Sequence, residues 1–539
     1  MGSNAKSMAN TSIVEGLEKK RKIEEEWRSI YSSKQPLTQL DFPPDFTFGV
    51  ATSAYQVEGA CNEDGRGPCI WDAFSQVPGK ICDGSTADVA VDQYHRYKED
   101  IDLIAKLGFK AYRFSISWSR IFPDGLGTKV NLEGIRHYNN LINALIDKGM
   151  VSRCVFILMS CGQSVRNVAS PNDDGSKYFA IYAETCFSSF GDRVKIWITI
   201  NEPLQTAVNG YGTGFCAPGR RGHSSSEPYL VAHHQLLAHA EAVSIYNKKY
   251  KDTQGGQIGL VVDCEWSEAL SDKVEDRNAA TRRLDFQLGW YLDPIYQGDY
   301  PETMREKLGD CLPKFSERDK ELLKNSVDFI GLNHYTTRVY YPDMPPGASS
   351  AGRQPVMGHQ GPGFETYQLQ LLLMSPGPRR WGARVVTLEF GSSELEGGEM
   401  IGEKAASSWL YMVPWGLRKL LNYIAMRYNN PPVYITENGM DDEDDPTSPL
   451  HEMLDDKLRV SYYKGYLAAV QQAIKDGADV RGYFAWSLLD NFEWQLGYTK
   501  RFGLIYVDYK NGLTRHLKSS AYWFMRFLKA EEVENGKMD

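Results

Sequence analysis

A single (β/α)8 TIM barrel of the α/β class is the fold that this 539-residue sequence predicts, and three observations predict it. Short apolar, β-branched runs alternate with helix-length amphipathic segments from Phe46 to Leu528. The first two of those segments close on Gly108 and Gly149, as helices with glycine stops do. Several of the apolar runs end abruptly on carboxylates, amides or aromatic rings, and in a parallel barrel those ends converge on one face.

The composition supports a globular chain and excludes several classes of partner. Hydrophobic residues make up 42% and aromatics 12%, enough for a sizeable core. A net charge of −9 offers no basic field to nucleic acid or anionic lipid, so neither is expected as a partner. No run of eighteen apolar residues suggests a membrane span. Nine scattered cysteines without a Cys-x-x-Cys pair read as buried, reduced thiols. Residues 1–40 lack the apolar core of a secretory signal, and Val14 to Ile30 reads as a frayed or surface helix. Lys6 stands where an N-myristoylation pattern wants Ser or Thr, and Gly536-Lys-Met-Asp539 carries no retention or peroxisomal address. The expected organisation is a charged extension over 1–40, a barrel over 41–530 and a tail over 531–539, with a cytoplasmic location.

Taken in order, Phe46–Gln56 is small and apolar behind Pro43-Pro44 and gives strand one. Asp88–Leu107 repeats its apolar residues at three and four, a helical period, and Ala111–Trp118 follows as strand two. Helix Asn131–Lys148 leads to strand three at Arg153–Ser160, helix Ser176–Phe190 to strand four at Val194–Asn201, and helix Glu227–Tyr250 to strand five at Gln257–Trp266. Helices Ala279–Tyr296 and Ser316–Lys324 precede strand six at Val327–Tyr335. Helix Trp415–Tyr428 feeds strand seven at Val433–Thr436, helix Asp455–Asp476 feeds strand eight at Val480–Ser487, and helix Ser519–Leu528 ends the pattern. Cys161–Gly175 and Tyr341–Gly402 show no periodicity and read as long loops.

The strand ends then define a candidate site. They present Gln56 and Glu58, Arg113, Asn201 and Glu202, Glu265 and Trp266, Asn333, His334 and Tyr335, Glu437 and Asn438, and Trp486 through Asp490, Asn491, Glu493 and Trp494. Polar forks beside aromatic rings suit a sugar, whose hydroxyls want polar partners and whose ring faces want an apolar plate. Two opposed carboxylates suit glycoside hydrolysis, at about 5 Å for a covalent, retaining route and about 6.5 to 9.5 Å for an inverting one. The sequence does not measure that gap. An arginine such as Arg113 would hold one carboxylate ionised while the other keeps a proton.

Val433-Tyr-Ile-Thr-Glu-Asn-Gly439 resembles the nucleophile signature, and Thr199-Ile-Asn-Glu-Pro203 the acid/base signature, of glycoside hydrolase family 1, and in particular of its plant β-glucosidase branch without secretion signals. Phe46-x-Phe-Gly-x-Ala-x-Ser-Ala-Tyr-Gln-x-Glu-x-Ala60, Tyr112-Arg-Phe-Ser-Ile-Ser-Trp118, Asn333-His-Tyr335 and Trp486-x-x-x-Asp-Asn-Phe-Glu-Trp494 extend the likeness over most of 41–530. The resemblance implies a retaining β-glycosidase, foremost a β-glucosidase acting without a cofactor on small β-glucosides or short oligosaccharides. It implies Glu437 as nucleophile and Glu202 as acid and base, with Arg113 and Tyr335 tuning Glu437. Asn201 would bond the 2-hydroxyl, Gln56 and Glu493 other hydroxyls, Trp486 the sugar face, Trp494 a further hydroxyl, and Phe502 would line the pocket near the 6-hydroxyl. A glutamate at 202 speaks against the myrosinase variant, and Glu493-Trp494 favours a free 6-hydroxyl. Two stretches depart from the family. Met159-Ser-Cys-Gly-Gln-Ser-Val165 stands where a His-Trp-Asp run belongs, and Tyr341–Glu399 matches poorly. They leave open a second reading, a catalytically impaired barrel that only binds sugar. Cys216 also stands without the second cysteine of secreted relatives, which agrees with a reducing compartment.

Other features read as structural. His233, His234 and His239 lack the four-residue spacing of a zinc helix, and no metal is expected. Gly210-Tyr-Gly-Thr-Gly214 has no strand leading into it and is no dinucleotide fingerprint, while Asp441–Asp445 reads as a solvated charge run without calcium-loop spacing. Trp266 is equally a core residue or a wall of the pocket.

Overall fold

The structure, a computed structural model, describes residues 37–150, 155–160, 175–221, 225–341, 390–392, 394–395 and 399–529, and the isolated positions 21, 22, 25 and 223. The expected extension and tail lie almost wholly outside the described residues, as do 161–174 and most of 341–399.

Among the described residues, eight parallel strands close into a barrel. They are β1 (Thr47–Ala51), β2 (Ala111–Ser117), β3 (Val155–Ser160), β4 (Ile196–Asn201), β5 (Gln257–Asp263), β6 (Phe329–Asn333), β7 (Val433–Asn438) and β8 (Val480–Trp486). Each pairs with its sequence neighbour, and β1 pairs with β8 through Thr47↔Gly482 to Ala51↔Trp486, which shuts the ring. The outer layer contains α1 (Gln93–Leu107), α2 (Leu132–Asp147), α3 (Ser176–Phe190), α4 (Glu227–Lys249), α5 (Val274–Leu284), α6 (Pro414–Arg427), α7 (Lys457–Lys475) and α8 (Ser519–Leu528). Helix ends obey local chemistry. Asn131 caps α2 by accepting from the Glu133 amide at 3.3 Å, and Gly108 closes α1 at φ 90°, a conformation glycine adopts without strain.

The seam between β1 and β8 depends on a missing side chain. A Cβ at Gly49 would run into the Phe484 ring, so only glycine lets those strands meet. Helices are fixed to strands by aromatic contacts, as where Tyr182 of α3 stacks on Trp118 at 4.7 Å and donates to the Ile116 carbonyl at 2.7 Å.

Three expectations need correction. Strand one stops at Ala51, because the chain turns where the Ala54 amide donates to Ser115 Oγ at 2.6 Å, and Ala54–Val57 is a helical turn. Strand five stops at Asp263; Trp266–Ala269 leaves the barrel and pairs with Thr337–Tyr341. The helix expected over Ala279–Tyr296 starts earlier, at Val274, and passes through a π-helical turn at Asp285–Gly289 before Trp290–Tyr296.

The charge run is also not solvated throughout. Asp441 is buried and bonded to Ser407, while Asp442 and Asp444 pair with Arg459 and Arg501; Asp445 instead caps the exposed turn at Thr447. His233 and His239 pack inward, with Tyr300 and with Thr199 and Ser326. The cysteines among the described residues are free, and Cys69, Cys186 and Cys264 are buried, but Cys82 is exposed. No helix among the described residues is long and apolar enough to cross a membrane, and no three His, Cys, Asp or Glu side chains among them gather as a metal site.

Candidate active site

β7 delivers Glu437 to the C-terminal mouth of the barrel, and its neighbours hold the strand end rigid. Thr436 Oγ1 donates to Asn333 Oδ1 at 2.7 Å, and Asn438 Nδ2 donates to the His334 carbonyl at 2.5 Å and to Tyr462 OH at 2.9 Å. A Cβ at position 439 would strike the Trp486 carbonyl oxygen, which explains the glycine that ends the motif.

Each carboxylate oxygen of Glu437 has its own donor. Arg113 Nη1 reaches Oε1 at 2.6 Å and Tyr335 OH reaches Oε2 at 2.7 Å. Arg113 is 1% exposed, so its cation and the Glu437 anion meet out of water, where a charge-assisted bond is strong. Its second amino group donates to Asn201 Oδ1 at 2.6 Å. Burial, then the charges of Glu437 and Glu202, push the Tyr335 hydroxyl well above its ordinary range, so it stays a donor.

Glu202 sits in a different setting. Its backbone is left-handed at φ 47°, immediately before Pro203, a conformation that costs a non-glycine residue about 1 to 2 kcal/mol. Its amide donates to the Val261 carbonyl at 3.0 Å, and its Oε1 accepts from Asn333 Nδ2 at 2.7 Å. Burial and the charges of Glu437 and Asp263 push its carboxyl well above the usual range, against the Asn333 bond and Arg113. One carboxylate is thus held by a cation and a phenol, and the other is biased towards its protonated form.

A second cluster spans the seam. Gln56 Nε2 donates to Asn491 Oδ1 at 3.0 Å, to the Phe492 carbonyl at 2.9 Å and to Glu493 Oε2 at 3.4 Å. Burial, then Asp441 and Glu437, push the Glu493 carboxyl up to about 8, so it is largely protonated at neutral pH and both donates and accepts. Trp486 ends β8 and is nearly buried, Trp494 packs on Trp71 at 4.6 Å and stacks on Tyr55 at 6.1 Å, and Phe502 meets Tyr335 edge-on at 6.2 Å.

The predicted residues therefore fall into one bonded network around Arg113, Asn201, Glu202, Tyr335 and Glu437, one around Gln56 and Glu493, and an aromatic wall. Asn333 links the first network, donating to Asn201 Oδ1 at 3.1 Å as well as to Glu202. Sequence reasoning placed Asn333 in a motif without giving it a role, although its position on the sixth strand end was a signal. Asp263 was missed because the reading ran strand five on to Glu265. Glu265 instead accepts from Arg338 at 2.8 Å, Arg283 at 3.2 Å and Tyr340 at 2.5 Å; burial pushes its carboxyl up, but Arg338 and Arg283 outweigh it and hold it at about 2. Trp266 is half-buried and donates to Glu268 at 2.7 Å. The segment aligned with the His-Trp-Asp run lies outside the described residues beyond Ser160.

Comparison with known proteins decides the family. The model of "Glycosyl hydrolase family 1" matches residues 38–533. The chain belongs to glycosyl hydrolase family 1. Among its family 1 relatives, "Beta-glucosidase 42" of Arabidopsis thaliana is 59% identical over 508 residues, covering 94% of this chain and 97% of the relative. "Beta-glucosidase 4" of Oryza sativa subsp. japonica is 57% identical over 501 residues, covering 93% and 97%. A solved rice β-glucosidase, a mutant in a covalent complex with Glc, superposes with a TM-score of 0.82 at 46% identity, covering 92% of this chain and all of that one. The barrel and the motifs expected of family 1 are thus present in an enzyme of that family.

Proposed function

We propose that the protein is a retaining β-glucosidase that hydrolyses small β-glucosides or short oligosaccharides, with Glu437 as nucleophile and Glu202 as acid and base. The observation that carries this reading is the contrast between the carboxylates, Glu437 gripped by Arg113 and Tyr335 and Glu202 pushed up by burial and by its anionic neighbours.

In the first step an oxygen of Glu437 attacks the anomeric carbon while the Glu202 proton passes to the glycosidic oxygen, whose bond to that carbon breaks. The products are a glycosyl ester and a free alcohol. Glu202, now a carboxylate, then takes a proton from the water that attacks the same carbon, and Glu437 leaves as carboxylate. Asn201 has its carbonyl occupied by Arg113 and Asn333, so its Nδ2 group is the part assigned to the sugar 2-hydroxyl. Gln56 and Glu493 are assigned to hydroxyls on the other side, Trp486 and Phe502 to the ring face and the 6-hydroxyl end, and Trp494 to a further donor. The names of the 59% and 57% identical relatives support glucose as the sugar.

Trapping with a 2-deoxy-2-fluoro-β-glucoside tests the assignment. Labelled peptide carrying the sugar on Glu437, and loss of 4-nitrophenyl β-glucoside hydrolysis in Glu437→Gln, are the expected results; labelling elsewhere overturns it. The cytoplasm is the proposed location, supported by the free cysteines among the described residues, Cys216 included. A fluorescent fusion that entered the secretory pathway would refute that.

A further inference from the structure

We propose that Asp263, the last residue of β5, is a positioning residue that sets when Glu202 holds and releases its proton. The inference rests on the reading of Glu202 as acid and base. Asp263 is coupled to Glu202 from two sides. In the β5–β6 register it stands opposite Asn333, whose Nδ2 holds Glu202 Oε1 at 2.7 Å. On the other side, Gln205 lies one helical turn past Glu202 and donates its Nε2 to Asp263 Oδ2 at 2.8 Å, while its Oε1 accepts from Asn209 Nδ2 at 2.6 Å. The Glu202 amide itself bonds to the Val261 carbonyl, two residues before Asp263.

Behind this contact lies a polar layer that neither catalytic carboxylate touches directly. Asp263 packs against the Gln287 side chain, and Gln287 Oε1 and Tyr291 OH are buried without a hydrogen-bond partner among the described residues. Gln287 belongs to the π-helical turn Asp285–Gly289 and Asn209 to a second one at Thr206–Gly210, so two irregular turns flank the aspartate. π-Turns inside helices are frequent at functional sites.

The groups facing Glu202 are Glu437 from β7, Arg113 from β2, Asp263 from β5, Tyr335 after β6 and Cys216 from the loop after β4. Those facing Asp263 are Arg283 of α5, Tyr291 and Cys264. The Asp263 carboxyl is also raised on balance, chiefly by burial, although the Gln205 bond and the Arg283 charge oppose that; Glu202, pushed well above its ordinary range, is the member of the pair assigned the proton. The two anions beside Glu202 then differ in one respect. When Glu437 becomes an ester its charge disappears, and Glu202 loses one reason to stay protonated. Asp263 keeps its charge through both steps and fixes how basic Glu202 remains when it must accept a proton from water.

The test is the Asp263→Asn variant of the full chain, with kcat/KM followed against pH. Methyl β-glucoside needs the acid, and 2,4-dinitrophenyl β-glucoside has a leaving group that departs without a proton. Losing the negative charge lowers the Glu202 pKa, so the basic limb for methyl β-glucoside moves to lower pH by about one unit, and the dinitrophenyl profile lacks that shift. An unmoved limb, a move to higher pH, or an equal change for both substrates overturns the proposal. If Asp263→Asn does not fold, Asp263→Ser removes the same charge and is held to the same outcomes. Glu202→Ala with added azide checks the underlying reading separately: a β-glucosyl azide product supports Glu202 as acid and base, and its absence refutes that reading whatever Asp263 does.

Discussion

Replacing Asn333 with alanine removes the hydrogen bond to Glu202 Oε1 and predicts a shift of the pH profile in the direction opposite to that of Asp263→Asn. The bond is 2.7 Å long and its donor is buried; to the ionised carboxylate such a bond contributes about 1.5 to 3 kcal/mol, and to the protonated carboxyl about 0.5 to 1.5. It favours the ionised form of Glu202, and one pH unit corresponds to about 1.4 kcal/mol. Losing that difference, on the order of 1 kcal/mol, therefore raises the Glu202 pKa and moves the profile by about one pH unit at most. With methyl β-glucoside the acid form survives to higher pH, and the basic limb of kcat/KM moves up. With 2,4-dinitrophenyl β-glucoside under conditions where deglycosylation limits kcat, the base form appears only at higher pH, and the acidic limb moves up. Maximal rates fall as well, because Asn201 and Thr436 lose a partner in the same substitution. Circular dichroism and thermal melting confirm that the variant is folded. A basic limb that stays in place or moves down refutes the assigned role of Asn333, and a shift seen in only one of the two steps refutes a single group serving both.

Three further outcomes are expected. Arg113→Met leaves Glu437 buried without its cation, so kcat/KM falls by about 10² to 10³-fold and fluoroglucoside labelling of Glu437 slows in parallel, as time-resolved mass spectrometry would show. Glu493 is raised in the folded chain to about 8, so it contributes stability that is full below the ordinary glutamate range and is lost as pH rises through about 8. Glu493→Gln should accordingly melt higher than the wild type at pH 8 to 9 and show no such advantage at pH 4, while raising KM; a pH-independent difference in melting contradicts this. Arg459 is fully buried, pairs with Asp456 and Asp442, and donates to the carbonyls of Met440, Gly503 and Arg501. Arg459→Met strands the buried Asp456 carboxylate and should cost about 3 to 5 kcal/mol in urea unfolding, and a loss under 1 kcal/mol disproves the network's importance.

What was legible in the sequence was the part written in periodicity. β-Branched runs and glycine-stopped helices place all eight strands because a barrel strand buried on both faces and a helix buried on one leave different patterns. Ser176–Phe190 is the helix that the spacing predicts, residue for residue. Ends were harder, because they are decided by partners far away in sequence. Strand one is turned at Ala51 by Ser115, and strand five is cut short by a second strand that pairs with Thr337–Tyr341. Asp441 and Asp445 look alike in a run of acids, yet one faces Ser407 in the interior and the other bonds to Thr447 in a surface turn. The proposed catalytic pair was legible because its motifs are local. The proton balance between them was not, since it depends on Asn333 and Asp263 from two other strands.

The seam between β1 and β8 ties this site to the order in which the chain is made. Gln56 and Glu493 lie 437 positions apart, and Arg113 and Glu437 lie 324 apart. Contacts of such separation form late, after the loop between them has been closed at an entropic cost. A growing chain therefore carries Gln56 without Glu493, and Arg113 with Asn201 but without Glu437, for most of its synthesis. The proposed grip on the sugar is complete only with the final strand beside the first, so the site depends on ring closure.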